Sequence, residues 1–265
     1  MNHPYETIDL QVRDRVAWIT LNRPQAFNAL DLQMAKDLFA VSNRLTSDRS
    51  VRCAVLTGSG TKAFCAGGDV AGFGADPPTV DRLVREMTTP LHAAVSRFAA
   101  MNAPLIGAVN GVAAGAGLSL VACCDLAISA DHARFTSAYT QIGLSPDGSS
   151  TYYLTRLLGT RRATELYLTN RVLSAAEALD WGLVNRVVPG AALLDEVGRL
   201  AAQLADGPTR AYGGVKRLML TAAHEGLETQ MERESRQVAE LALSRDSVEG
   251  VRAFLDKRTP RFTGE

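Results

Sequence analysis

The stretch "PLIGAVNGVAAGAGLSLVACCD", residues 104–125, decides the fold. It opens with "PLIGAVNG" (104–111), an apolar run of strand length that ends at glycine. Small residues follow in "VAAGAGLSLVACCD" (112–125), and they read as a tight turn opening a buried helix. An apolar strand that runs through a glycine turn into a buried helix is a strand-to-helix unit of an α/β protein. The unit recurs on both sides. Upstream, "CAVLTG" (53–58) is a short apolar strand ending at glycine. The irregular, Gly-rich "FCAGGDVAGFGADPP" (64–78) and a helix over about 79–101 come after it. Downstream, "LAISA" (126–130) and "ARFTS" (133–137) are further short strands.

The flanks complete the outline. Residues 8–12 and 15–21 alternate or are rich in β-formers and read as two strands, with Arg13-Asp14 as their turn. Asp31 is placed to N-cap a helix carrying Leu32, Ala35, Leu38 and Phe39 on one face. Beyond residue 150 the chain turns mostly helical. "SAAEALDWG" (174–182) carries a capping box, Ser174 with Glu177, and Gly182 at the C′ position. "LVNRVVP" (183–189) is one more strand, and residues 191–256 read as three helices with breaks near 207–208 and 226. Two regions follow from this order: a core over 1–190 and a helical, oligomerising region over 191–265.

Composition narrows the function classes. The 265 residues are 46% hydrophobic, and 28 Lys+Arg balance 28 Asp+Glu, which disfavours nucleic acid or an anionic membrane as the main partner. Cys53, Cys65, Cys123 and Cys124 form no CxxC pair and only four histidines exist, so no zinc site is expected. The charged N-terminus has no signal-peptide h-region and no run of 18 apolar residues occurs, so a reduced, cytoplasmic protein is expected.

The glycines need a reason. "GSGTK" (58–62) lacks the spacing of a phosphate-binding P-loop, and "GVAAGAG" (111–117) lacks that of a dinucleotide fingerprint. Two readings stay open: tight packing of strand against helix, or exposed backbone N–H groups that form an oxyanion hole, aided by a helix N-terminus. Asp147 in "IGLSPDGSS" (142–150) is open in the same way, between turn residue and reactive carboxylate.

"LNRPQAFNAL" (21–30), "AFCAGGDV" (63–70), the stretch 104–135, "IGLSPDG" (142–148) and "EALDWGLVNRVVP" (177–189) resemble the enoyl-CoA hydratase/isomerase, or crotonase, family, in order and over essentially the whole chain. The resemblance implies an α/β fold, the crotonase (ClpP-like) spiral of ββα units, with a helical C-terminal trimerisation region and homotrimers or hexamers built as paired trimers. It implies an acyl-CoA thioester as substrate, with coenzyme A as part of the substrate and no cofactor or metal. It places the oxyanion N–H groups at Gly68 and Ala116. It places CoA against Arg23, Ala26, Ala66, Asp69 and Val70, and against Phe254 and Lys257, sometimes from a neighbouring subunit.

The chain departs from the family's hydratases at both positions where they carry glutamate, which here are Ser119 and Tyr139. That points away from hydration, which needs a positioned water, and towards double-bond isomerisation, which needs one carboxylate. Asp147 is then the acid/base, with Tyr139 as a pocket wall or hydrogen-bond donor. The family's aryl-CoA dehalogenases resemble the chain at Asp147, as nucleophile, and at His92, as its helper; they carry Phe and Trp where this chain has Gly68 and Tyr139. A non-catalytic acyl-CoA-binding protein is the remaining alternative.

Overall fold

The computed structural model describes residues 5–72 and 79–265. The end of the Gly-rich stretch, 73–78, and the first four residues, with His3, lie outside them.

β1 (Ile8–Arg13) and β2 (Val16–Leu21) form an antiparallel hairpin. Its turn is Asp14-Arg15, one residue later than expected. Both residues adopt positive φ, as a two-residue hairpin matched to strand twist requires. α1 (Leu32–Ser47) follows, and Asp31 caps it by accepting a bond from the Met34 N–H at 2.8 Å.

Three ββα units then repeat. The first is β3 (Cys53–Gly58), β4 (Ala63–Cys65) and α2 (Val80–Ala100). The second is β5 (Leu105–Val109), β6 (Val112–Ala114) and α3 (Ala116–Ala122). The third is β7 (Leu126–Ala130), β8 (Arg134–Thr136) and α4 (Ser150–Thr169), the last broken at Gly159. β9 (Leu173–Ser174), α5 (Ala175–Asp180) and β10 (Arg186–Val188) close the sheets. α5 begins with the capping box expected at Ser174 and Glu177.

Among the described residues each unit gives its first strand to a six-stranded sheet, β1-β2-β3-β5-β7-β10, and its second to a four-stranded sheet, β4-β6-β8-β9. β3, β5 and β7 are parallel and almost wholly buried, because helices cover both faces. Ala54 and Leu56 face the larger core with α1 and α2. Cys53, Val55, Ile106 and Ile128 face α6 (Leu193–Ala205), whose Leu193, Val197, Ala201 and Ala205 are buried against them.

The short strands β4, β6 and β9 were not expected from the sequence. Two or three residues display no alternation, and they exist because the neighbouring turn of the spiral pairs with them. The C-terminal region also holds one helix more than the three expected. α7 (Thr209–Ala222), α8 (Leu227–Ala242) and α9 (Arg245–Leu255) follow α6. The missed break is at Ser244, whose hydroxyl caps α9 by accepting from the Ser247 N–H.

Asp125, just before β7, ties the core to a distant helix. It accepts from the Leu105 N–H at 2.7 Å and pairs at 2.7 Å with Lys216 of α7, a cation only 8% exposed. Burial holds its carboxyl above the ordinary range, against the pull of Lys216.

Candidate active site

The spiral stacks equivalent loops. β4 pairs in parallel with β6, and β6 with β8, so the segments leaving all three strands emerge side by side. They carry Gly67-Gly68, Gly115-Ala116 and Ala138-Tyr139, which together line a cavity of about 600 Å³. The stacking demands small residues. A Cβ at Gly117 would sit 2.0 Å from the Cys65 carbonyl oxygen, and Gly115 holds φ at +51°.

The two expected donors lie on this wall. Leu30 bridges the first loop through the Gly67 C=O (2.7 Å) and the Asp69 N–H (2.8 Å), a pattern that leaves the Gly68 N–H out of the ladder. Ala116 is the first residue of α3, so its N–H has no intrahelical acceptor. The tight packing of strand on helix and the presentation of N–H groups are thus one device.

The opposite wall is α2. Val84, Met87 and Leu91 face the cavity at helical spacing, a stripe legible in the sequence as apolar periodicity. Asp147 faces it from the loop before α4. Its backbone carbonyl accepts from the Ser119 hydroxyl at 2.8 Å and from the Tyr139 hydroxyl at 3.4 Å. Ser119 is three residues beyond Ala116 on α3, so one helical turn ties the Asp147 loop to the second donor. Tyr139 also lines the cavity, and burial pushes its phenol up to about 12, so it stays a protonated donor.

The carboxylate itself meets His92 Nε2 through Oδ1 at 2.6 Å, while Oδ2 makes no hydrogen bond among the described residues. The resemblance to the family's dehalogenases pairs His92 with Asp147, and the structure brings the two side chains into contact. A second carboxylate, Asp81, also lines the cavity and was missed. It precedes His92 by eleven residues on α2, roughly 16 Å along the helix axis at 1.5 Å per residue.

Of the residues expected to hold CoA, Ala66 and Val70 line the cavity. Arg23 and Asp69 pair with each other at 2.8 Å, and Arg23 also meets Asp31 at 3.2 Å. This pins the Arg23–Ala26 loop to the Gly68 loop, together with the Ala66 N–H donating to the Phe27 carbonyl at 3.1 Å. Phe254 and Lys257 lie apart from the cavity of their own chain, both exposed, Phe254 by 83%. Among the described residues no cluster of three or more His, Cys, Asp or Glu side chains could hold a metal ion.

The sequence profile of the enoyl-CoA hydratase/isomerase family matches residues 11–265. The chain belongs to that family. This hydratase/isomerase-family chain is an enzyme of the lyase or isomerase kind acting on acyl-CoA thioesters. It is 38% identical over 264 residues to the 1,2-epoxyphenylacetyl-CoA isomerase of Escherichia coli, covering 98% of this chain and 99% of that one. It is 39% identical over 232 residues to 4-chlorobenzoyl coenzyme A dehalogenase-2 of Arthrobacter sp., covering 87% and 84%. The crystal structure of an enoyl-CoA hydratase from Mycobacterium smegmatis superposes with a TM-score of 0.90 at 34% identity, covering 97% of this chain and 99% of that one. The crotonase fold is therefore common to relatives with different reactions.

Proposed function

We propose that this family member isomerises the double bond of an enoyl-CoA, with Asp147 as its single acid/base. The observation that carries the reading is the placement of Asp147. It shares a cavity with Gly68 and Ala116, and Ser119 binds its loop where family hydratases carry a glutamate. The thioester oxygen accepts from the Gly68 and Ala116 N–H groups, which stabilise the enolate that forms when a C2 proton leaves. Asp147 Oδ2 takes that proton and returns it at C4, moving the double bond from position 3 to position 2. The 38% identity to the 1,2-epoxyphenylacetyl-CoA isomerase over nearly the full chain supports a CoA thioester as the substrate. CoA is held by Ala66 and Val70 at the cavity, with the Arg23–Asp69 pair holding their loop in shape. The enzyme works in the cytoplasm as a trimer or a pair of trimers.

A second reading rests on the His92–Asp147 contact. An aspartate nucleophile with an adjacent imidazole suits hydrolytic dehalogenation of an aryl-CoA, and a dehalogenase is among the relatives. Assaying 2-enoyl-, 3-enoyl- and aryl-CoA substrates with the wild type and Asp147→Asn separates the readings. Turnover of 3-enoyl-CoA that Asp147→Asn abolishes supports the isomerase. Single-turnover ¹⁸O transfer from labelled water into Asp147 on a haloaryl-CoA would replace it with the dehalogenase. If no thioester turns over while CoA still binds, the protein is a binding module.

A further inference from the structure

His92 has two environments. Its Nε2 touches Asp147, which lines the acyl cavity. The same side chain lines a second groove, of about 460 Å³, on the other side of α2 between α4 and α7. Ser96, Ser149, Tyr152 and Tyr153 give that groove hydroxyl groups, and Leu220 of α7 gives it an apolar edge. The imidazole is 52% exposed and the carboxylate 32%. The other titratable groups facing this side are the Tyr152 and Tyr153 phenols. Beyond them lies the Arg156–His224 contact, at 2.7 Å, with Arg156 over the Tyr152 ring.

An acid/base that needed only to hand one proton from C2 to C4 would need no second partner. A carboxylate with one oxygen open to the cavity and the other on a half-exposed imidazole has a route to bulk water. We propose that His92 is a proton relay connecting Asp147 to solvent in the second groove. The proposal rests on the isomerase reading of Asp147 and adds to it a route by which substrate protons exchange with water. The steps balance. Asp147 takes a proton from C2 and becomes a carboxylic acid. Rotation of the carboxyl turns the new O–H from the cavity to His92, whose neutral ring carries its hydrogen on Nδ1; Nε2 takes the proton, giving carboxylate and imidazolium, and Nδ1 releases its own proton to water. The reverse passage brings a solvent proton to Asp147, which delivers it to C4.

The test runs the isomerisation of a 3-enoyl-CoA in D₂O and measures deuterium at C4 per product molecule, a quantity independent of rate. Wild type is expected to place solvent deuterium in most of its product. His92→Gln keeps a hydrogen-bonding partner for Oδ1 but is a poor relay, and His92→Phe removes both functions. Each is expected to lower the deuterium content roughly fivefold or more, because the same hydrogen is then returned. Ser96→Phe, one turn along α2, leaves the His92–Asp147 pair in place and covers its groove side. It is expected to lower the content roughly twofold. Wild-type product without deuterium overturns the relay. So does equal content in wild type and both His92 variants, and rescue by Gln alone makes His92 a positioning residue. Exchange of the C2 hydrogens of butyryl-CoA, measured alongside, keeps the two proposals apart. If wild type exchanges these hydrogens but moves no double bond, the isomerase reading fails, and the relay is judged by the same drop in the variants. If it does neither, both fail.

Discussion

At the scale of residues the site depends on backbones held closer than side chains allow. Gly117→Ala puts a methyl group against the Cys65 carbonyl and is expected to destabilise the fold by about 2–3 kcal/mol, read from urea melts. A near-neutral melt would show that α3 can retreat from β4. Arg23→Ala leaves Asp31 and Asp69 without their shared cation. It is expected to raise KM for the thioester several-fold, roughly 1 kcal/mol, with a smaller effect on kcat. An unchanged KM would separate the pair from the binding loop. Asp147 was legible as a candidate because it is a carboxylate in a small-residue turn at a position where the family resemblance places a reactive aspartate. Its contact with His92 was legible only through the family resemblance, since it joins residues 55 apart. Asp81 was not legible as a site residue, because an acidic residue in the first turn of a helix already has an explanation there. The role of Asp125 was not legible because its cation, Lys216, comes from a distant helix.

At the scale of elements, long apolar strands and capped helices were readable, whereas β4, β6 and β9 exist only through pairing between turns of the spiral. Those short strands set the site, so the loops were foreseen as Gly-rich but their alignment was not. Two helices carry a pH signature. Glu177 in the capping box of α5 is held at about 2, chiefly by the backbone N–H of Ser174 and then by Arg171. Glu249 of α9 is held at about 2, chiefly by Arg258 and then by the Arg261 N–H. Both folded values lie below the ordinary 4.5. Their stabilisation is therefore present above pH about 4.5 and is lost as pH falls towards 2. Glu177→Gln is expected to flatten the acid side of a Tm-against-pH curve. A curve parallel to the wild type would remove the carboxylate from this account.

At the scale of the whole molecule, α7 is keyed to the core by the Lys216–Asp125 pair, and Lys216 also donates to the Phe98 and Ala103 carbonyls. Lys216→Met leaves a buried carboxylate without its cation and is expected to cost about 3 kcal/mol in denaturant melts. A change below about 1 kcal/mol would mean that water replaces the cation. α8 and α9 bury little, leaving Leu227, Val238, Val251 and Phe254 each more than half exposed. Apolar surface of this extent supports self-association, and light scattering is expected to give three or six copies of the 28.4 kDa chain. A concentration-independent monomer would contradict that. In the proposed reaction one carboxylate, aimed by Ser119 beside two backbone donors, moves the proton. Its most direct test is kcat for conversion of a 3-enoyl-CoA to the conjugated 2-enoyl-CoA by Asp147→Asn. The account predicts a loss of about 10²–10⁴-fold with thioester binding retained. Turnover equal to wild type would contradict it.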